Sequence, residues 1–431
     1  MFMIKQKLKY SVVLAGLTFA TSLGAQTPPP TVEEMWEVIQ AQQREIEALK
    51  SQLKKTKEQV EETDQKVEAT GEMLDEVSAA GIPSSARWAE KSRFGGYGEV
   101  HYNNLNSKNE VDFHRFVLYF AHDFTDRIRF YSEVELEHAL AGEGEAGEIE
   151  LEQAYIGFDL LTEQRLTAYA GLILVPVGII NETHEPPTFY GVERNRVETE
   201  ILPTTWWEAG LAFQGLAFPG FSYNLFVTSG LNVPTSGDNP FRIRSGRQKV
   251  SEAVANDGAF GAQIKWTGLP GVEVGVFGEY QTDITQGEGG PQVGDIGATL
   301  FEAHTILSKG PFGFRALYAR WDLDDGGLLG PKNNPDQPGH NEQWGWYVEP
   351  AFRFAPGLLP GQIGLFARYS ELDTQAGVSD AIKGGSTTKQ EFTTGFNYWP
   401  ISNVVFKFDY QDQMGDQDDD GFNLGLGYAF F

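Results

Sequence analysis

From Phe94 to the C-terminus, apolar and polar residues alternate with a period of two in about sixteen separate stretches, and no other feature restricts the fold of the chain so strongly. Side chains point to opposite faces along a β-strand, so each stretch presents one greasy face and one wet face. Residues 127–138 show it best. Ile128, Phe130, Val134 and Leu136 fall on one side, with Arg127, Arg129, Tyr131, Glu133, Glu135 and Glu137 on the other. A single strand of this kind suits a soluble sandwich as well as a membrane barrel; the number, length and spacing of strands separate the two.

Strands are expected near 94–103, 112–122, 127–138, 149–159, 165–174, 206–215, 221–230, 259–267, 272–281, 298–307, 312–321, 343–354, 362–371, 390–399, 403–412 and 421–431. Each has ~9–12 residues, enough to cross a bilayer at a tilt. Connections after even-numbered strands are short, as at 123–126, 218–220 and 400–402. Those after odd-numbered strands are long and polar, at 139–148, 175–205, 231–258, 282–297, 322–342 and 372–389. Short turns at one end and long loops at the other mark an outer-membrane barrel. The expected fold is all-β, a sixteen-stranded antiparallel transmembrane β-barrel over 94–431, preceded by an α-helical coiled coil.

The coiled coil is read from a seven-residue repeat. Positions a are Val32, Ile39, Ile46, Leu53, Val60, Val67 and Leu74, and positions d are Met35, Gln42, Leu49, Thr56, Thr63, Thr70 and Val77. A strict repeat of seven makes helices supercoil, although the polar d positions leave two or three strands open. Before it, residues 1–25 carry three lysines, a short apolar run and a small-residue zone, the layout of a signal peptide. The expected order is signal peptide 1–25, Pro-rich linker 26–31, periplasmic coiled coil 32–80, linker 81–93 and barrel 94–431.

Composition narrows the function. Hydrophobic residues make up 41% of the chain and mean hydropathy is −0.33, too polar for a bundle of membrane helices. Aromatics at 13% and 49 glycines suit a barrel with interface girdles. Trp206, Trp207, Trp344, Trp346, Tyr398 and Trp399 lie near strand ends, where a headgroup layer would meet them. His114 and His122 read as the two ends of one outward face. A net charge of −27 excludes a nucleic-acid partner. Zero cysteines exclude disulfides and thiolate metal sites. The seven histidines show neither catalytic nor metal-ligand spacing, so no enzyme, cofactor or metal is expected.

The loop at 175–205 is the richest candidate site. Pro186, Pro187 and Pro203 stiffen it, and Glu182, His184, Glu185, Glu193, Arg194, Arg196, Glu198 and Glu200 charge it. Fixed charges at a constriction sort ions by sign and size. Candidate pore-lining residues are Arg115, Arg129, Glu133, Glu135, Glu182, His184, Glu193, Arg194 and Arg196. Arg242, Arg244, Arg247 and Lys249 form a basic run that either recruits anions at the mouth or is a solvated loop face.

The runs GGYGEVHYN at 95–103, DFHRFVLYFAHDFTDRIRFYSEVELEHA at 112–139, GEIELEQAYIGF at 147–158 and VPVGIINETHEPPTFYGVERN at 175–195 carry a likeness to a known family. The chain resembles the phosphate-selective porin O and P family over 94–431, most strongly up to about 215. The resemblance implies a homotrimeric porin whose loop 175–205 folds inward, with anion or phosphate preference in some members. The final strand, closing on Phe430 and Phe431, resembles the signal read by outer-membrane assembly machinery. The residues themselves support passive diffusion of small hydrophilic solutes or ions across the bacterial outer membrane, in contact with its lipid. Two alternatives stand beside this: an anion- or phosphate-selective channel, and a non-conducting barrel that tethers the envelope through its stalk.

Overall fold

The computed structural model describes residues 86–161, 165–236, 240–289, 294–324, 341–377, 387–414 and 419–430, together with ten positions between Trp36 and Lys57. The chain divides into two compact units, Met1–Pro83 and Ser84–Phe431. In the first, the ten described positions are helical and exposed. The rest of the expected coiled coil, the signal peptide and the first linker lie outside the described residues. No helix among the described residues is long and apolar enough to cross a membrane.

The second unit is a barrel. A short 3-10 turn, Ala86–Lys91, leads into sixteen strands: β1 Ser92–Leu105, β2 Asn109–Asp123, β3 Ile128–Glu137, β4 Ile149–Leu161, β5 Leu166–Leu174, β6 Trp207–Phe218, β7 Phe221–Thr228, β8 Ala259–Trp266, β9 Val272–Gln281, β10 Ala298–Lys309, β11 Phe312–Leu323, β12 Glu342–Phe354, β13 Gln362–Ala376, β14 Lys389–Ile401, β15 Val404–Met414 and β16 Gly421–Phe430. Each expected stretch became one strand. Neighbours in sequence pair antiparallel all the way round, and β1 closes on β16 in a register running from Gly96 opposite Phe430 to Leu105 opposite Gly421. Closure leaves no unpaired sheet edge.

The two faces of the wall differ as the alternation dictates. Leu118, Leu211, Phe260, Val276, Phe396 and Leu426 point outward and are exposed, part of an apolar band around the barrel. The inward series is polar: Glu99 and His101 on β1, Glu302 and His304 on β10, Lys407 and Asp409 on β15 are all buried. These charges are shielded because the loops turn into the barrel. Val175, Val197, Ile201 and Trp206 from the connection after β5 meet Leu231 and Ile243 from the connection after β7, and Ile284 and Ile296 from that after β9. Together they pack on inward residues of β6 to β12, such as Phe226, Phe277, Leu317 and Trp321. The lumen therefore holds an apolar core on one side and charged walls on the other.

Two expectations change. Trp206 and Trp399 are buried inside the barrel, at 1% and 3% exposure, and do not belong to an outer girdle. Trp207, at 4% exposure, keeps the outward parity of β6 beside Ile149, Leu151 and Leu172, where Lys249, Val250 and Ser251 cover it. Trp399 lies inside against Arg353, whose guanidinium carbon stands 4.0 Å from the ring centroid, and it donates to Pro187 O at 3.1 Å. The inward-turning loop supplies Trp206 and Trp399 with a dry partner that a plain barrel lacks. His114 also leaves the outward series. A bulge between Glu99 and His101 sets three steps of β2 against two of β1, so parity changes and the His114 ring stacks on buried His101 with centroids 4.6 Å apart. Bulges re-aim side chains in this way.

Candidate functional site

The connection at 175–205 folds into a closed loop because of its own residues. Asn181 draws the neck together: Nδ2 donates to Val175 O at 2.7 Å and Trp206 O at 3.0 Å, and Oδ1 accepts from Trp206 N–H at 2.7 Å. Pro186 and Pro187 start a single 3-10 turn, Pro186–Thr188. A single π-helical turn, Val197–Ile201, then buries Val197, Glu198 and Ile201. Glu198 accepts from Ile179 and Ile180 N–H at 2.8 and 2.6 Å. Gly178 makes room for this: its φ is +69°, and a Cβ there would stand 2.8 Å from Glu198 Oε2 and 2.9 Å from Leu202 Cδ1. Burial pushes the Glu198 carboxyl above its usual range, against the bonds from Tyr347, Ile180 and Ile179 that favour ionisation.

The loop is bonded to strands around much of the barrel. Asn397 Nδ2 of β14 donates to Phe189 O at 2.9 Å, and Val192 N–H donates to Asp409 of β15 at 2.6 Å. Asn195 Nδ2 reaches Ser370 of β13 at 3.1 Å. Tyr347 of β12 donates to Glu198 at 2.6 Å, and Trp321 Nε1 of β11 donates to Ile201 O at 2.9 Å. Gln263 of β8 donates to Pro176 O at 2.6 Å.

The candidate pore-lining residues fall on and around this loop. Arg115 Nε stands 2.7 Å from Glu99, and its NH1 stands 3.2 Å from Glu135. Arg129, 42% exposed, pairs with Asp159. Glu133 accepts from Gln153 and stands 3.3 Å from His184 Nε2. Glu182 pairs with Lys265. Glu193 holds His101 Nδ1 at 3.1 Å and Asn103 Nδ2 at 3.0 Å. Arg194 donates to Thr205 at 2.8 Å, and Arg196 to Glu200 at 2.7 Å. Burial opposes ionisation of Glu200, but Arg196, Lys389 and Arg242 outweigh it and hold the carboxyl low.

The basic run of the next long loop sits on the same structure. Arg242 pairs with Glu200 at 3.4 Å. Arg244 donates to Thr199 O and to Thr204 O at 3.1 Å. Arg247 donates to Pro203 O at 3.2 Å and Thr205 O at 2.5 Å. Lys249 pairs with Glu148 and Glu150 of the β3–β4 side. The two half-buried guanidiniums thus bond carbonyls at the end of the inward loop.

Sequence reasoning missed two features of the lumen. The first is a row of inward tyrosines on five consecutive strands: Tyr97, Tyr119, Tyr131, Tyr155 and Tyr169, with successive ring centroids 5.8, 5.9, 5.6 and 5.3 Å apart. Alternation placed Tyr131 inward, but the cross-strand register that aligns the row is not a local property. The second is a set of imidazole–carboxylate groups. Among the described residues, His101, His114 and Glu193 form one triad, Asp112, His114 and His138 a second, and Glu133, Glu152 and His184 a third. In each, one ligand atom per residue lies within 4.8 Å of the others. The histidines are far apart in sequence, so no spacing motif announced them.

No family model matches the chain. A relative described as "Uncharacterized protein" from Aquifex aeolicus (strain VF5) is 31% identical over 358 residues, covering 78% of this chain and 79% of the relative. Among solved structures, Salmonella typhi OmpF in complex with daunomycin aligns at a TM-score of 0.51 and 13% identity, over 79% of this chain and 97% of OmpF. The outer membrane channel DcaP of Acinetobacter baumannii aligns at 0.50 and 12%, over 79% and 97%. OmpT, an outer membrane protein of Vibrio cholerae in trimer form, aligns at 0.50 and 11%, over 78% and 98%. At these identities the likeness is one of fold.

Proposed function

Because the chain belongs to one family with the Aquifex aeolicus protein, and because its barrel shares the fold of outer-membrane porins, we propose that it is a porin. Small hydrophilic solutes or ions diffuse through its lumen across the bacterial outer membrane. The observation that carries this reading is the loop at 175–205, bonded to inward-facing side chains on strands from β8 to β15. Held there, it narrows the passage while several of its backbone groups bond strand side chains. The outward apolar band meets lipid and the polar inner face meets water, the reverse of a soluble protein.

The passage favours cations over anions. The buried arginines of the wall are neutralised: Arg115 by Glu99 and Glu135, and Arg368 by Glu349 at 3.1 Å. Acidic side chains on the inner face include Glu99, Glu133, Glu135, Glu302, Glu349 and Asp409. A phosphate path would need a row of unpaired cations along one wall. Lys407 is one such cation, with no hydrogen-bond partner for its Nζ, but Arg115 and Arg368 are paired and do not extend it into a row. The trimeric form of the Vibrio cholerae neighbour supports a homotrimer, with membership of the phosphate-selective porin O and P family resting on the sequence runs quoted above.

Planar-bilayer recording of the purified protein tests the reading. Conductance steps in groups of three, with a reversal potential of cation-selective sign in a salt gradient, are expected. A protein that inserts but never conducts would favour a tethering barrel instead.

A further inference from the structure

We propose that Glu133 of β3, Glu152 of β4 and His184 of the inward loop bind a divalent first-row transition ion of the zinc type, which fastens the loop to the barrel wall. The three residues each present a ligand atom within 4.8 Å of the other two. All three are buried, at 1%, 1% and 3% exposure.

The imidazole orientation is fixed by chemistry. His184 Nδ1 lies 3.0 Å from Asn181 O, and a carbonyl oxygen only accepts, so Nδ1 carries hydrogen. Nε2 then faces Glu133 Oε1 at 3.3 Å and Glu152 Oε2 at 4.0 Å. In a neutral ring Nε2 is a lone pair, so three acceptors converge on one point; a metal ion reconciles all three, whereas a proton on one carboxyl would serve a single pair. A proton on Nε2 would serve Glu133 alone, because Glu152 is beyond hydrogen-bond reach. Neither oxygen of Glu152 meets a hydrogen-bond partner. An unpartnered carboxylate at this depth is costly.

The neighbouring guanidiniums give Glu152 no hydrogen bond, although Arg194 Nε has no hydrogen-bond partner of its own. Arg115 serves Glu99 and Glu135, and Arg194 donates to Thr205 and to His184 O. A metal ion answers the whole arrangement. One imidazole and two carboxylates suit zinc, with open positions left for water. The surrounding bonds are those that orient ligands: Nδ1–H to a backbone carbonyl, and Gln153 onto the far oxygen of Glu133. This inference stands apart from conduction, since the ion would be structural whether or not solute passes.

The full-length protein in detergent, stripped with EDTA and then unfolded and refolded with or without zinc chloride, provides the test. One tightly held zinc per chain by elemental analysis and a raised melting temperature are expected. Glu152→Gln and His184→Asn should each weaken binding at least ~10-fold and abolish the zinc-dependent rise. Without zinc, Glu152→Gln should melt no lower than the parent, because it removes an unpaired buried charge; this keeps loss of binding distinct from loss of fold. His114→Asn, which breaks both triads at the other cluster, should leave the tight site intact. Absence of zinc uptake after refolding would overturn the proposal. So would uptake that survives both Glu152→Gln and His184→Asn, or that disappears in His114→Asn alone.

Discussion

The hydroxyl of Tyr347, on β12, donates to the carboxylate of Glu198, in the inward loop, at 2.6 Å, and both groups are buried. The same carboxylate caps two consecutive backbone N–H groups at the start of the loop. Glu198 thus joins the loop's start to its π-turn, and Tyr347 ties the pair to the wall. Tyr347→Phe removes the donor and leaves a buried acceptor short of one bond, a loss of about 1–3 kcal/mol. Chemical denaturation of the refolded barrel should show that decrease, and single-channel records should become noisier as the loop samples undocked positions. A variant as quiet and as stable as the parent would show that the loop does not depend on this contact.

Glu198 also predicts a pH effect. Burial raises its folded-state pKa above the unfolded value, despite the bonds from Tyr347, Ile180 and Ile179. The folded state therefore binds this proton more tightly. Its contribution is fully present below the unfolded pKa of about 4.3 and is lost as pH rises through the raised folded value. Glu198→Gln, which cannot titrate, should flatten that part of the stability profile above pH ~4.3. Parallel melting curves for parent and variant across mildly acidic pH provide the measurement.

Arg244 and Arg247 clamp the carbonyls at 199–205 from a neighbouring loop. Replacing both by alanine orphans buried carbonyls on the inward loop. The barrel should still assemble, because no strand pairing depends on them, but the loop should become sensitive to added protease and conductance should rise. Unchanged cleavage and conductance would place the restraint elsewhere.

Arg129 is the half-exposed cation of the candidate set, paired with Asp159 near the tyrosine row. Arg129→Glu should move the reversal potential in a salt gradient toward stronger cation preference, with the largest effect at low ionic strength. Arg115→Glu is a poorer probe, because it would place a third carboxylate beside Glu99 and Glu135 in a buried site.

On the outer surface, Val276 of β9 is 46% exposed within the apolar band. Val276→Arg should cost roughly 2–4 kcal/mol if the position lies at mid-membrane depth. Refolding yield into lipid vesicles should fall, while a lumen substitution of equal charge should leave yield nearly untouched. Equal yields would contradict the assignment of this face to lipid.

Much of this architecture is legible in the residues. Alternation over two positions marked each of the sixteen strands, because one face must meet lipid or a dry core while the other stays wet. Ile128, Val134 and Glu133 show the logic within one strand. The loop at 175–205 stood out through its length, prolines and charge. What stayed hidden was set by register and by the return of loops into the barrel. Trp206 and Trp399 look like girdle residues until a loop arrives inside the barrel to bury them. His114 looks outward until a bulge turns it toward His101. The basic run from Arg242 to Lys249 reads as free charge, since the carbonyls it meets lie on a separate connection.

The apolar packing between the inward loops and β6 to β12 gives this barrel an interior that behaves thermodynamically like a water-soluble domain. Undocking the loop would hydrate Val197, Ile201 and Trp206 without disturbing any contact with detergent or lipid. Hydration of such surface carries a positive heat-capacity increment, which a hollow cylinder of the same strand number would lack. Calorimetry in detergents of different chain length should therefore resolve an increment that stays constant while the lipid-facing contribution varies.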